Sequence, residues 1–193
     1  MLDIDAACDQ LGHVTGVHIV EYAAGVRELL FDCHAGASAD APALHAVVID
    51  DQGEVLQSLG GTAKDHAPPP ACSAPGAFLF EPSPAIMKSG LFAILAAQYE
   101  LAKLAPATHL FTADHDAPGF PGHRYKVGDV LPVDRKALKR AGITHANVKC
   151  RNFSETPAQL QKHLRLRDGG DDYLFACRLA DDSYRLIHAL RDY

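Results

Sequence analysis

The chain has no Cys-x-x-Cys pair, no run of 18 apolar residues, and no basic-then-apolar stretch at the start of MLDIDAACDQ. Each absence removes a class of protein. Without a long apolar run no helix is expected to cross a membrane, and without a charged and then apolar leader no secretory signal is expected. Five cysteines, odd in number and far apart (Cys8, Cys33, Cys72, Cys150, Cys177), argue against a disulfide framework and against a zinc knuckle. They read as small buried hydrophobes in a reducing compartment, and the expected location is cytoplasmic. There is also no G-x-S-x-G, P-loop, H-E-x-x-H, or G-x-G-x-x-G after a strand, so no nucleophile meets its base and no loop cradles a nucleotide phosphate.

What is present is a charge asymmetry. The total is −6, yet residues 124–167 hold eleven Lys or Arg against three acids, a balance of +8, so the rest of the chain carries −14. A basic segment inside an acidic protein points to a polyanionic partner. With 48% apolar residues over 193 positions, most of the chain should fold into one or two compact domains.

Along the chain, Asp3-Ile4-Asp5 opens a short helix that stops at Gly12. VHIVEY (17–22), RELLFDCH (27–34), LHAVVID (44–50) and EVLQSL (54–59) read as antiparallel strands, the last two joined through Asp50–Gly53. Residues 60–76, with four prolines, read as a linker or long loop. Ser83 and Pro84 then start one helix whose apolar stripe runs to Pro106, with Gly90 inside it. A carboxylate at Glu81 suits the positive end of that helix. THLFTAD and HRYKVGDVLPV are strands; Asp134 caps a helix over 135–141. HANVKCRNF is a strand, and Thr156–Gln159 has capping-box spacing for a helix to about Leu166. A hairpin around residues 180–183 closes the chain. The fold class is α+β.

The period of two along Asn147–Phe153 places Lys149, Arg151 and Phe153 on one face, two cations and an aromatic of the kind that would meet a phosphate backbone and an unstacked base. Lys136, Lys139 and Arg140 fall on one side of the preceding helix; Lys162, Arg165 and Arg167 stay outside the Leu160/Leu164 stripe of the next. These nine residues are the candidate RNA-binding set. The competing reading makes them solvated faces with Phe153 in the core. His109, Asp114, His115, Asp116 and His123 suggest a metal or acid–base cluster, but their spacing matches no ligand set, and surface polar groups are the expectation.

Two long strings carry a further signal: FLFEPSPAIMKSGLFAILAAQYELAKLAPATHLFTAD and NVKCRNFSETPAQLQKHLRLRDGGDDYLFACRLAD. Their order, with Glu81-Pro82, Ile86, Lys88 and Gly90 and later Arg151-Asn152-Phe153 and Leu164 to Ala176, resembles the C-terminal part of bacterial class I S-adenosylmethionine-dependent methyltransferases with a THUMP-like domain. Met1-Leu2-Asp3-Ile4 is similar to the P-M-L-D-like motif of that family. The resemblance implies the truncated end of a Rossmann-like methyltransferase sheet over 1–59, the linker 60–76, and a THUMP-like α+β domain over 77–193. It implies an RNA-modification context: a substrate-recognition portion, with S-adenosylmethionine the cofactor of the full-length family and none expected for this chain alone. No position matches the family's cofactor loop or catalytic motif. The expected partners are structured RNA and either the missing N-terminal methyltransferase half or a second copy, with no membrane. The alternative is a stand-alone RNA-binding or subunit-interaction module without catalysis.

Overall fold

The computed structural model describes residues 3–37, 41–62 and 67–192, so Met1-Leu2 of the P-M-L-D-like motif and part of the proline-rich loop lie outside the described residues. In chain order the elements are α1 (Ile4–Leu11), β1 (Val14–Tyr22), β2 (Gly25–Cys33), β3 (Ala43–Ile49), β4 (Val55–Gly61), β5 (Phe78–Pro82), α2 (Pro84–Ser89) and α3 (Phe92–Gln98). There follow β6 (Ala102–Lys103), β7 (Phe111–Ala113), β8 (Gly122–Pro132), α4 (Arg135–Arg140), β9 (Asn147–Arg151), α5 (Pro157–Leu164), β10 (Asp172–Arg178) and β11 (Tyr184–Asp192). Two compact units result: Met1–Pro68 with Ser83–Gln98, and Pro69–Pro82 with Tyr99–Tyr193. The helices of 84–98, which the sequence groups with the later segment, thus belong to the first unit.

In the first unit, Asp3 caps α1 by accepting the Ala6 N–H at 3.0 Å, and Gly12 ends it at φ 64°. The sheet order is β2-β1-β3-β4. β1/β2 and β3/β4 are antiparallel, the latter turned by Asp50, whose carboxylate accepts the Gln52 and Glu54 N–H groups. β1 and β3, however, are parallel, which corrects the all-antiparallel expectation. The cause is topological: β3 adds to the free edge of β1 rather than beside β2, and strand patterning carries no information about which edge is used. Val17, Ile19, Ala46 and Leu59 are buried, as are Ala85 and Ile86 of α2, which lies against β1, β2 and β3. The single helix expected from Pro84 to Pro106 is two short ones. Gly90 takes the left-handed conformation at φ 71° and caps α2, a position where glycine carries no Cβ penalty, and α3 ends at Gln98 before strand β6.

The second unit holds a seven-stranded sheet, β6-β7-β5-β8-β11-β10-β9. β5, which has no counterpart in the sequence reading, sits between β7 and β8. All pairings are antiparallel except β9/β10, which α5 connects as a β-α-β unit. The expected capping box is present on α5, and Asp134 caps α4. β10 and β11 alternate cleanly between two cores. Phe175, Cys177, Ile187 and Ala189 join Leu79, Leu104, Leu110 and Tyr125 on one face. Leu174, Ala176 and Leu186 join Leu138, Leu160 and Leu164 of α4 and α5 on the other.

Candidate nucleic-acid interface

β9 is where the predicted interface divides. Val148 and Cys150 pack into the layer under α4 and α5, so Lys149 and Arg151 point to the opposite face of the sheet. Phe153 does not follow them. β9 ends at Arg151, Asn152 turns at φ 51°, and Phe153 packs against the α4/α5 layer with its ring edge-on to Tyr184 at 5.4 Å. The period of two holds only while the backbone stays extended, and Asn152 breaks it.

On their own face Lys149 and Arg151 are engaged. Glu81 of β5 is 4% exposed, and its carboxylate accepts hydrogen bonds from Lys149 Nζ, from Arg151 Nη2 at 2.6 Å and from the Tyr125 hydroxyl at 3.0 Å. Lys149 Nζ also lies 5.6, 5.5 and 5.7 Å from the ring centres of Tyr125, Tyr173 and Phe175. Burial alone would raise the Glu81 pKa; the bond and charge of Lys149, the charge of Arg151 and the Tyr125 hydroxyl outweigh it and hold the carboxyl below its usual value. Burial, then the Glu81 charge, pushes the Tyr125 phenol upward. β5 and β9 stand four positions apart in the sheet, about 19 Å if it were flat. A Glu and a Lys side chain do not span that, so the sheet curls toward this face; the register shift between Ile187 and Ala189 of β11, opposite β8, is the kind of irregularity that adds twist. The sequence reading gave Glu81 to a helix terminus. Glu21 holds that position instead, accepting the Ala85 N–H of α2 at 2.8 Å. Glu81, Tyr125, Tyr173 and Phe175 were not legible as one site, because no local pattern links residues 44 to 94 positions apart.

The other six candidates share the opposite side. Lys136, Lys139 and Arg140 of α4 and Lys162, Arg165 and Arg167 on and after α5 are all exposed. Among the described residues none of them forms an ion pair; Arg140 Nε donates only to the Lys136 carbonyl, at 3.4 Å. Leu138, Leu160 and Leu164 anchor both helices in one apolar layer. The two C-terminal turns are tied together, since Arg167 N–H donates to Thr144 O and Ala146 N–H to Arg167 O. Exposed Arg135, which the sequence reading left out, adds a fourth cation to α4.

The His/Asp run is used structurally. Asp114 accepts the Ala77 N–H, Asp116 pairs with Arg124 at 2.9 Å, His115 bonds the Tyr99 carbonyl, and Arg191 bonds His123 at 2.9 Å. Burial, then the charges of Lys103 and Arg151, lowers the His109 pKa. Among the described residues no three His, Cys, Asp or Glu gather as a metal site. The cysteines are free; Cys177 is buried, but Cys33 is exposed, against the expectation that all are interior. No helix of the described residues is long and apolar enough to cross a membrane. The β9-α5-β10 unit does not fit a nucleotide cofactor: residues 152–156 contain no glycine, and Thr156 and Gln159 already satisfy each other's N–H groups at the start of α5.

A ferredoxin-like domain family matches residues 78–121, and a THUMP domain-like family matches residues 122–191. Glu81 lies in the first matched segment and its three partners in the second, so one hydrogen-bonded cluster joins the two. No curated protein matches the chain. A crystal structure from Porphyromonas gingivalis W83, described as a "putative methyltransferase", is similar over 100% of this chain and 49% of its own, with 26% identity and a TM-score of 0.89. This α+β chain therefore spans about half the length of that protein, and its residues 122–191 are similar to THUMP-like domains.

Proposed function

We propose that this chain is the substrate-recognition portion of an S-adenosylmethionine-dependent, RNA-directed methyltransferase of the class I type, and that it meets RNA through Lys136, Lys139, Arg140, Lys162, Arg165 and Arg167. The observation that carries the reading is the set of exposed cations on and just after two helices of the THUMP-like segment, which form no ion pair among the described residues. Phosphates attract such a set through counterion release, which gives affinity with little regard to sequence. Lys149 and Arg151 lie on the other face of the sheet and already share Glu81. S-adenosylmethionine would supply the methyl group in a complete enzyme. No transfer step is assigned to the residues described here.

The test is fluorescence anisotropy of a labelled structured RNA with the 193-residue chain across a salt series, beside calorimetry with S-adenosylmethionine. Binding at low salt that weakens steeply as salt rises, with no heat from S-adenosylmethionine, is expected. Replacing Lys136, Lys139 and Lys162 by Ala should weaken binding and lower the salt slope by about 1 per cation. RNA affinity too weak to measure at low salt would overturn the reading.

A second reading, a subunit-interaction module, draws on the first unit's sheet. Leu30 of β2 is 50% exposed, and Val55 and Leu56 of edge strand β4 are 60% and 61% exposed. Apolar residues on open edges suit a partner, either a methyltransferase half or a second copy. Light scattering after size exclusion tests the second copy: a dimer that Leu56→Lys dissociates is expected.

A further inference from the structure

We infer that the α4/α5 surface recognises the phosphate backbone of base-paired RNA, and that bases of a single strand are not its ligand. This rests on the RNA reading above and names the form of RNA. Single-stranded nucleic acid is held by cations together with aromatic rings on which successive bases stack. The sequence offers one aromatic for that role beside the basic segment, Phe153, and the structure leaves it partly buried, its ring packed against the apolar layer and edge-on to Tyr184. Neither α4 (RKALKR) nor α5 (PAQLQKHL) contains Phe, Tyr or Trp. The exposed imidazole of His163 is already paired with Glu155 at 3.3 Å.

What these helices do present is charge at fixed spacing. At 100° per residue Arg135, Lys139, Lys136 and Arg140 cover an arc of about 140° on α4, with Ala137 and Leu138 turned to the core. Arg135/Lys139 and Lys136/Arg140 are i,i+4 neighbours, about 5–6 Å apart at Cβ, so each pair addresses adjacent positions along one strand. On α5, Lys162 lies about 160° from Leu160, and Arg165 follows in the left-handed conformation at φ 56°. The shared core and the Arg167–Thr144/Ala146 bonds fix the two rows relative to each other. Two rows of cations held rigidly, with no aromatic on either helix, suit a surface whose phosphates are themselves at fixed positions. A duplex supplies that surface; a flexible strand must be ordered first.

The experiment compares two labelled RNAs of equal length and composition, a hairpin and a strand shuffled to remain unpaired, by anisotropy with the full chain at low and moderate salt. The hairpin should bind about tenfold tighter, and hairpins of unrelated sequence should bind alike. Tyr184→Ala, which removes the exposed ring beside Phe153, should leave hairpin affinity unchanged, whereas the Lys136/Lys139/Lys162 triple Ala variant should weaken it about tenfold or more. Equal or tighter binding of the unpaired strand, or a tenfold loss from Tyr184→Ala, would overturn the inference and leave the RNA reading in place. No binding of either RNA would overturn that reading itself.

Discussion

Glu81→Gln is the perturbation that tests the charge cluster of the second unit most directly. It keeps the size of the side chain and a partner for the Tyr125 hydroxyl, but removes the negative charge that pairs with both Lys149 and Arg151. Breaking a buried ion pair by deleting one partner costs about 3–5 kcal/mol, because the remaining charge stays desolvated. Here the cations are not sealed: the Lys149 and Arg151 side chains are 28% and 37% exposed, so water recovers part of that loss. A net cost of about 3 kcal/mol follows, equivalent to a fall of about 6–12 °C in the calorimetric midpoint for a chain of this size.

The pH dependence separates this cause from simple misfit. The Glu81 pKa is lower in the folded state than in the unfolded chain, where a glutamate titrates near about 4.3. Its contribution is therefore fully present above that value and is lost as pH falls through the lower, folded value. The gap between the two proteins should be full at pH 7 and should narrow as acid protonates the wild-type carboxyl. Urea melts at a series of pH values read both quantities. A gap under about 1 kcal/mol at pH 7, or one that does not narrow in acid, would refute the reasoning. Glu81→Leu adds an independent check: if it equals the wild type in stability, the charges are dispensable and the curl of the sheet rests on the apolar layer alone.

Three further outcomes follow from individual positions. Thr156→Ala removes the side-chain acceptor for the Gln159 N–H, which is half of the capping box, and should cost about 1 kcal/mol in urea melts. Gly122→Ala would place a Cβ 2.2 Å from the Glu81 carbonyl, where β5 and β8 pair through Pro82 and Gly122; a loss of more than about 3 kcal/mol, or failure to fold, is expected. With a thiol reagent at pH 8, Cys33 should react within the mixing time, while Cys177, whose pKa burial pushes up to about 12, should react only on unfolding.

The fold was legible where a local rule decides it. Asp3, Ser83, Asp134 and Thr156 all cap the helices that follow them, since an N-cap is read from a few neighbouring residues. The Asp50–Gly53 and 180–183 hairpins are local for the same reason. The parallel pairing of β1 with β3 and the central place of β5 were not legible, because both depend on which strand edge remains free after other strands have paired. Gly90 was visible but ambiguous: a glycine inside an apolar stripe is either tolerated at about 1 kcal/mol or used as a left-handed stop, and the distinction lies in what the next helix can bury.

For the interface, the difficulty is one of faces. Lys149 and Arg151 look equivalent to Lys136 or Lys162 in a count of charge, yet a strand sends alternate side chains to opposite sides of its sheet. The helix-facing side of β9 was already taken by Val148 and Cys150. Lys149 and Arg151 must then enter the opposite side, where Tyr125, Tyr173 and Phe175 lie against Lys149, and the partial burial of the two cations there calls for an anion close by. Glu81 meets that need from the far side of a curled sheet. The same basic segment therefore divides: the cations of its strand pair with Glu81 across the sheet, while the cations on and after its helices, held over a separate apolar layer, stay exposed.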